Sequence, residues 1–319
     1  MSRDTLGSAP HDGSRNDPEH DRANLSKTAD LTNIDTYNAA ALASATTVIG
    51  HYSTSFGLAA RLLAPGVRIE VRTIYALVRI ADEIVDGAAS GAGVDPDGQR
   101  ELLDDLETET ERALTRGFST NLVVHAFALT ARRVGIDSTL TRPFFASMRR
   151  DLDPSPFTAD SVTEYIYGSA EVVGLMCLKS FLHDTPRSPA DLAVLEHGAR
   201  SLGAAFQKVN FLRDLAADRD ALGRNYFPGV DLAHLTDAQK IVLLDDMDAD
   251  LTAAERVLPM LPPGSRRAVT AAHRLFARLS AKLRETPATE LMSTRIRVPD
   301  PEKLMIAFTS SLGPKAWRA

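Results

Sequence analysis

A single cysteine, Cys177, in 319 residues excludes a disulfide framework and points to a reducing compartment. Aromatic residues are scarce at 6%, so the interior must be built mainly from alanine and branched aliphatics. There is no excess of positive charge: 42 acidic residues outnumber 36 basic ones, giving a net charge of -6. With no extended basic stripe either, a nucleic-acid partner is not expected. No apolar run approaches the roughly 20 residues that cross a bilayer, and Met1–Asp35 lacks the apolar centre of a signal peptide. A hydrophobic fraction of 44% rules out disorder of the chain as a whole. These absences predict a cytoplasmic protein with a sizeable core.

Alternating apolar and polar runs are missing too, which excludes an ordinary sheet. What is present is helical spacing. Apolar residues recur at three and four over 37–52, 54–64, 66–86, 97–115, 119–134, 138–151, 158–182, 188–221, 236–258, 263–285 and 299–311. Breakers separate them, among them Pro65-Gly66, Asp153-Pro154-Ser155-Pro156 and Pro262-Pro263-Gly264. Ser188-Pro189 reads as an N-cap followed by proline at the first helical position. The expectation is a disordered tail over 1–35 and one all-α domain over 36–319.

Two of these helices carry grouped oxygen ligands. Asp82 and Asp86 share a face, with Arg79 one turn before them and Ile80, Ala81, Ile84 and Val85 around them. Asn210, Asp214 and Asp218 form a second stripe at spacing four and four, preceded by Gln207 and flanked by Arg213, Phe211, Leu212 and Leu215. One acidic pair at that spacing is more often a solvated face or half of a salt bridge. Two stripes on apolar helices ask for neutralisation, and Mg²⁺ with a diphosphate supplies it, through carboxylate and phosphate oxygens. A di-iron bundle would need Glu-x-x-His pairs, which the chain lacks.

Several segments together resemble the phytoene/squalene synthase family. They are Ser53-Thr54-Ser55-Phe56, Tyr75-Ala76-Leu77, Arg79 to Asp86, Tyr165 to Met176, Gln207 to Asp218, Gly223-Arg224-Asn225-Tyr226-Phe227-Pro228 and Arg295-Ile296-Arg297-Val298. The resemblance runs in order from about Tyr37 to Phe308, and the central helix and the Gly-Arg-x-Tyr-x-Pro flap are most like the bacterial phytoene synthases.

That resemblance implies an isoprenoid-synthase helical bundle around a central cavity. It implies a prenyltransferase that joins two geranylgeranyl diphosphates head to head, through prephytoene diphosphate, to 15-cis-phytoene, the first committed carotenoid. Mg²⁺ (with Mn²⁺ as substitute) would be held by Asp82, Asp86, Asn210, Asp214 and Asp218, and no NADPH is expected. The implied catalytic residues are Asp82, Asp86, Tyr165, Asp214 and Asp218. The implied substrate contacts are Tyr52, Ser53, Thr54, Ser55, Tyr75, Arg79, Gln207, Arg213, Arg224, Tyr226 and Arg295.

Val172, Val173, Gly174, Phe206 and Phe211 are expected to line the cavity, with Gly174 leaving room for a long tail. Two departures stand out: Glu83 where the family commonly has Asp, and Phe276 where relatives often have Tyr. Lipidic substrates imply peripheral contact with the inner membrane leaflet and handover to downstream carotenoid enzymes. The alternatives are dehydrosqualene or presqualene diphosphate synthesis from farnesyl diphosphate and, more distantly, a terpene cyclase. In a cyclase, Ser or Thr and Glu would stand where Asp214 and Asp218 do.

Overall fold

The computed structural model describes residues 33–52, 55–215, 225–291 and 293–311. It divides into two compact units, 1–40 and 41–319. Of the expected tail, 1–32 lie outside the described residues, and 33–35 already open the first helix.

Among the described residues fourteen α-helices follow in order: α1 Asn33–Tyr52, α2 Ser55–Ala60, α3 Pro65–Asp86, α4 Ala88–Gly91, α5 Pro96–Arg116, α6 Leu122–Val134 and α7 Ser138–Asp151. Then come α8 Ala159–Ile166, α9 Val172–Leu182, α10 Pro189–Arg213, α11 Asp237–Val257, α12 Pro263–Glu285, α13 Ala288–Leu291 and α14 Asp300–Ser311. No strand occurs among the described residues.

Starts and stops follow cap chemistry. Asp95 accepts from the Gly98 amide before α5, Asn121 from the Val123 and Val124 amides before α6, and Thr158 and Thr236 form capping boxes with Ser161 and Gln239. Ser188 caps α10 by accepting from the Asp191 amide at 3.1 Å, with Pro189 at the first turn as expected. Gly117 and Gly135 close α5 and α6 at φ +79° and +78°, a conformation that glycine adopts without cost.

Two expectations about helix length are corrected. The helix expected over 158–182 is broken by a π turn, Tyr167–Glu171, between α8 and α9. The helix expected over 188–221 is interrupted after Arg213, with Asp214 out of helical geometry as its cap at φ -97°, ψ 9°; Leu215 is helical again and 216–221 lie outside the described residues. The short helices α4 and α13 and the 3₁₀ turns Leu232–His234 and Leu258–Met260 lie in, or at the edge of, the gaps between the expected helices.

One core packs α3, α5, α6, α7 and α9 around Phe127, Phe144, Phe145 and Leu77. A second packs α8, α10, α11 and α12 around Leu212, Leu244, Met247 and Leu283. Small residues set the spacing between the helices of the two cores. A Cβ on Gly203 would sit 2.6 Å from the Ala170 carbonyl oxygen, and one on Gly174 would sit 2.6 Å from that of Ala199. Backbone therefore lies directly on backbone where α10 crosses the π turn and α9. Ion pairs add to the register: Glu171 takes Arg200 at 2.6 Å, and Lys208 bridges Asp246 and Asp250 at 2.5 and 2.8 Å.

Candidate active site

Between the two cores lies a cavity of about 620 Å³. It runs beside α10 from Leu195 to Asn210, both of which line it. At the helical rise that is about 22 Å, so the cavity is a deep slot. Its inner end is apolar, closed by Leu63, Phe181, Leu195, Leu258, Leu261 and Val269. Its other end carries Tyr52, Tyr75, Arg79, Asn210, Arg213 and Arg295. Helices α3, α10 and α12 run from the apolar end toward the polar mouth, while α9 runs back, which is why polar residues late in α3 and α10 meet there.

The mouth brings Arg79 from the first stripe's helix together with Asn210 and Arg213 from the second, whereas Asp82, Asp86 and Asp214 do not line the cavity. Arg79 lies over the Tyr52 ring at 4.5 Å, sits 3.8 Å from Asp82, and pairs closely with Glu83. Glu83 also accepts from the Ala88 amide at 3.2 Å. It therefore holds Arg79 and the start of α4, a positioning role that its place off the Asp82/Asp86 stripe had concealed. Burial pushes the Asp82 carboxyl up to about 7, against the pull of Arg79 and with help from Asp86 and Glu83, although a third of the side chain stays exposed. Asp86 is exposed at the end of α3, so this stretch is less enclosed than its apolar neighbours suggested.

Across the mouth, Asn210 presents Oδ1, buried and with no hydrogen-bond partner among the described residues. Ser169 Oγ in the π turn and Arg79 Nε are likewise unsatisfied at the wall. Both Asp214 oxygens are held by arginine. Arg213 donates through Nε at 2.9 Å and through a second, closer contact, and Arg295 through Nε at 2.7 Å and Nη2 at 3.3 Å. Among the described residues no three Asp, Glu, His or Cys side chains converge as a metal-binding group. The donor set nevertheless suits a hard cation. It is all oxygen, it includes an amide oxygen left unpaired, and one carboxylate is raised by burial, with a smaller contribution from neighbouring negative charge.

Other expected residues fall elsewhere. Tyr165 does not line the cavity. It is buried in an aromatic cluster, donates from its hydroxyl to Asp151 at 3.0 Å, and stacks 5.5 Å from Tyr226. Burial, then the Asp151 charge, hold its phenol well above the ordinary range. Tyr226 lies flat on Phe211 at 3.9 Å, so Phe211 packs this cluster instead of the cavity wall. Val172 is fully buried in the first core, whereas Val173, Gly174 and Phe206 do line the slot. Gly174 answers to helix crossing as much as to room for a tail, given its approach to Ala199. Phe276 lines the slot stacked on Phe206 at 3.7 Å, an apolar use for the position where a phenol was absent.

Gln207 is half-buried on α10 and off the cavity wall. Ser53, Thr54, Asp218 and Arg224 lie outside the described residues, and Ser55 opens α2. Cys177 is part of the wall, its thiol pushed up to about 12 by burial, which leaves it inert. The π turn that brings Ser169 and Ala170 to the slot has no period of its own in the sequence. Tyr-Gly-Ser-Ala-Glu, with its small residues, is the one trace of it.

The raised Asp82 carboxyl makes metal uptake proton-linked. Its folded-state value lies above the ordinary carboxylate value, so in metal-free protein its contribution to stability is present below about pH 4 and is lost as pH rises through about 7. A cation needs the ionised form. The increase in Tm produced by Mg²⁺ should therefore grow from pH 6 to pH 8, and Asp82→Asn should flatten that dependence. An equal Mg²⁺ shift at both pH values in the unmodified chain would refute the coupling.

Comparison with known proteins matches the geometry. The family model described as squalene/phytoene synthase matches residues 49–302. The 15-cis-phytoene synthase of Paracoccus sp. is 31% identical over 258 residues, 75% of this chain and 81% of that protein. Phytoene synthase 2 of Solanum lycopersicum is 28% identical over 286 residues, 84% of this chain and 89% of that protein. The chain spans 42% of the longer phytoene synthase 1 of Arabidopsis thaliana. A crystal structure of a dehydrosqualene synthase with a bound ligand superposes at TM-score 0.71 and 21% identity, covering 86% of this chain and 96% of that one, a likeness of fold. An all-helical bundle around an apolar slot, with a mouth of arginines and oxygen donors, and a match through nearly all of its described length make this chain a member of the squalene/phytoene synthase family.

Proposed function

We propose that the chain joins two molecules of geranylgeranyl diphosphate head to head, through prephytoene diphosphate, to give 15-cis-phytoene. The observation that carries this reading is the slot itself: apolar walls about 22 Å deep ending in Arg79, Asn210, Arg213 and Arg295. Relatives that are phytoene synthases, one of them at 31% identity, support the choice within the family.

Each part of the slot has a task. Arg79, Arg213 and Arg295 offer planar forks of N–H donors that match diphosphate oxygens. Asp82, Asp86, Asn210 and Asp214, with Asp218 beyond the described residues, would hold Mg²⁺ or Mn²⁺. When bound, divalent metal neutralises the leaving diphosphate. A metal at Asp214 would take over the charge balance now supplied by Arg213 and Arg295 and free both for phosphate. Departure of diphosphate leaves an allylic cation, which the second chain's double bond attacks. Walls of Leu, Val, Ala and the Phe206–Phe276 pair keep water from that cation. Loss of a proton closes the ring of prephytoene diphosphate, its own diphosphate then leaves, and loss of a second proton ends the sequence with no reductant, so NADPH has no part in it. Substrate and product are lipids, which favours peripheral membrane contact and delivery to a downstream enzyme. No helix among the described residues is long and apolar enough to cross a membrane.

The test is direct. Purified protein with geranylgeranyl diphosphate and Mg²⁺ should yield a C40 hydrocarbon, and a chelator should stop the reaction. A C30 hydrocarbon from farnesyl diphosphate with no C40 product would refute the chain-length assignment, and no hydrocarbon from either would refute the reaction.

A further inference from the structure

Helix α3 carries the first acidic stripe into its last turn, and that turn lacks the usual closure. Helices α5 and α6 end on glycine amides, Gly117 and Gly135, that donate back to Ala113 and Ala131 at 2.8 and 2.9 Å. Gly87, after α3, sits at φ -157°, ψ -92° and makes no such bond among the described residues. The last carbonyls of a helix have no partner within it, so an open end frays unless something outside holds it. Asp86 is the final residue of this turn, and Asp82 lies one turn before it.

What holds it comes from the first turn of α5. Gln99 donates from Nε2 to the Ile84 carbonyl at 2.7 Å. Its side chain is 6% exposed, in one buried stripe with Leu103, Leu106 and Thr110. Leucine would suit that position by spacing, so the buried amide is there for its bond and not for packing. Because the acceptor is a carbonyl, the NH₂ end of the amide must face it. The backbone of Gln99 is fixed in turn: its amide donates to the Asp95 carbonyl at 2.9 Å, and the Asp95 side chain caps α5 through the Gly98 amide at 2.8 Å. On the far side, the Ala88 amide donates to Glu83 at 3.2 Å. The turn that bears Asp82 and Asp86 is thus tied from two sides. Gln99 itself bonds neither carboxylate.

We propose that Gln99 is a positioning residue for the acidic stripe of α3. By holding the Ile84 carbonyl it keeps the last turn helical, and so keeps Asp82 and Asp86 on one face for a divalent cation. The inference rests on the reading of those two carboxylates as metal ligands. Partners that orient a ligand usually bond the ligand itself. Here the oriented element is the helix end, and the effect reaches the carboxylates through the backbone.

Two variants of the full chain test it. Gln99→Met keeps the length and the apolar fit but removes the donor, and Gln99→Asn keeps an amide that falls one methylene short. In metal-free protein, hydrogen exchange at the Ile84, Val85 and Asp86 amides should quicken about tenfold in both, the scale of one lost hydrogen bond. Mn²⁺ alone, followed by its EPR signal, should bind both about tenfold more weakly, or worse. In turnover, the Mg²⁺ concentration for half-maximal rate should rise by a similar factor, while kcat returns at saturating Mg²⁺. Thr110→Val removes a different bond from the same buried stripe, that of the Thr110 hydroxyl to the Leu106 carbonyl at 2.7 Å, and should change neither exchange at α3 nor Mn²⁺ affinity. Unchanged exchange would overturn the tie. Quickened exchange with undiminished Mn²⁺ affinity would overturn its role in metal binding, as would an equal loss in Thr110→Val. Absence of Mn²⁺ binding by the unmodified chain, or its survival in Asp82→Asn, would instead refute the metal assignment and the proposal with it, whatever the exchange shows.

Discussion

Asp82→Asn and Asp214→Asn should each reduce turnover of prenyl diphosphate at least about a hundredfold, the scale of losing one preorganised charge-stabilising group. The amide preserves shape and removes only charge, so the helical CD signal should not change. The two variants should differ in how they fail. Asp82 sits at a carboxyl pushed up to about 7 by burial and its acidic neighbours, so its ionised form is unfavourable in metal-free protein. Asp82→Asn should therefore leave the metal-free chain as stable at pH 8 as the unmodified one, or more so, while Mg²⁺ no longer raises its Tm.

Asp214 instead holds Arg213 and Arg295, so Asp214→Asn releases two guanidiniums at the mouth. Its KM for diphosphate should change little or fall, and the loss should appear in kcat. Retained turnover in either variant, measured with product identification, would remove the acidic stripes from the chemistry.

Gly168→Ala should be the most damaging single methyl group. A Cβ at Gly168 would lie far inside contact distance of Ser147 Oγ and the Pro143 carbonyl oxygen, and 2.9 Å from the Pro143 carbonyl carbon. Ser147 could rotate, at the cost of the bond its hydroxyl donates to the Tyr165 carbonyl at 3.1 Å. Pro143 cannot yield, because its oxygen belongs to the backbone of α7 and the next two residues, Phe144 and Phe145, fill the first core at 1% and 0% exposure. The π turn must therefore move away from α7, carrying Ser169 and Ala170 of the cavity wall with it. Overpacking of this kind costs about 3 kcal/mol, and in a chain of this size that lowers Tm by about 5 °C. A melting temperature within about 1 °C of the unmodified chain would show that the contact relaxes freely.

Much of the architecture was legible because it rests on local chemistry. The period of 3.6, the Ser188-Pro189 start and the glycine closures at Gly117 and Gly135 depend on neighbours within one turn, so the helix map agrees with the fold to within a few residues along most of its length. The end of α10 was not legible. Residues 210–215 keep helical spacing, yet the helix is interrupted at Asp214, where Arg213 and Arg295 grip the carboxylate from two sides. Arg295 is distant in sequence, and nothing local announces its arrival. The same holds for Tyr165, whose neighbours mark it as apolar or reactive alike until Asp151, Phe157 and Tyr226 surround it.

The sequence by itself determined the helical class, the breaks between helices and the two oxygen-bearing stripes, since each depends on spacing along one helix. Only the tertiary structure decided which residues face the slot. It brought Arg79, Asn210, Arg213 and Arg295 to one mouth, sent Phe211, Tyr165 and Tyr226 into a separate aromatic cluster, and left Met305 and Phe308 outside. The physical reason is that period sets which side of a helix a residue occupies, whereas the helix that covers that side is chosen by packing across the chain. Close crossings such as Gly203 on Ala170 make that choice.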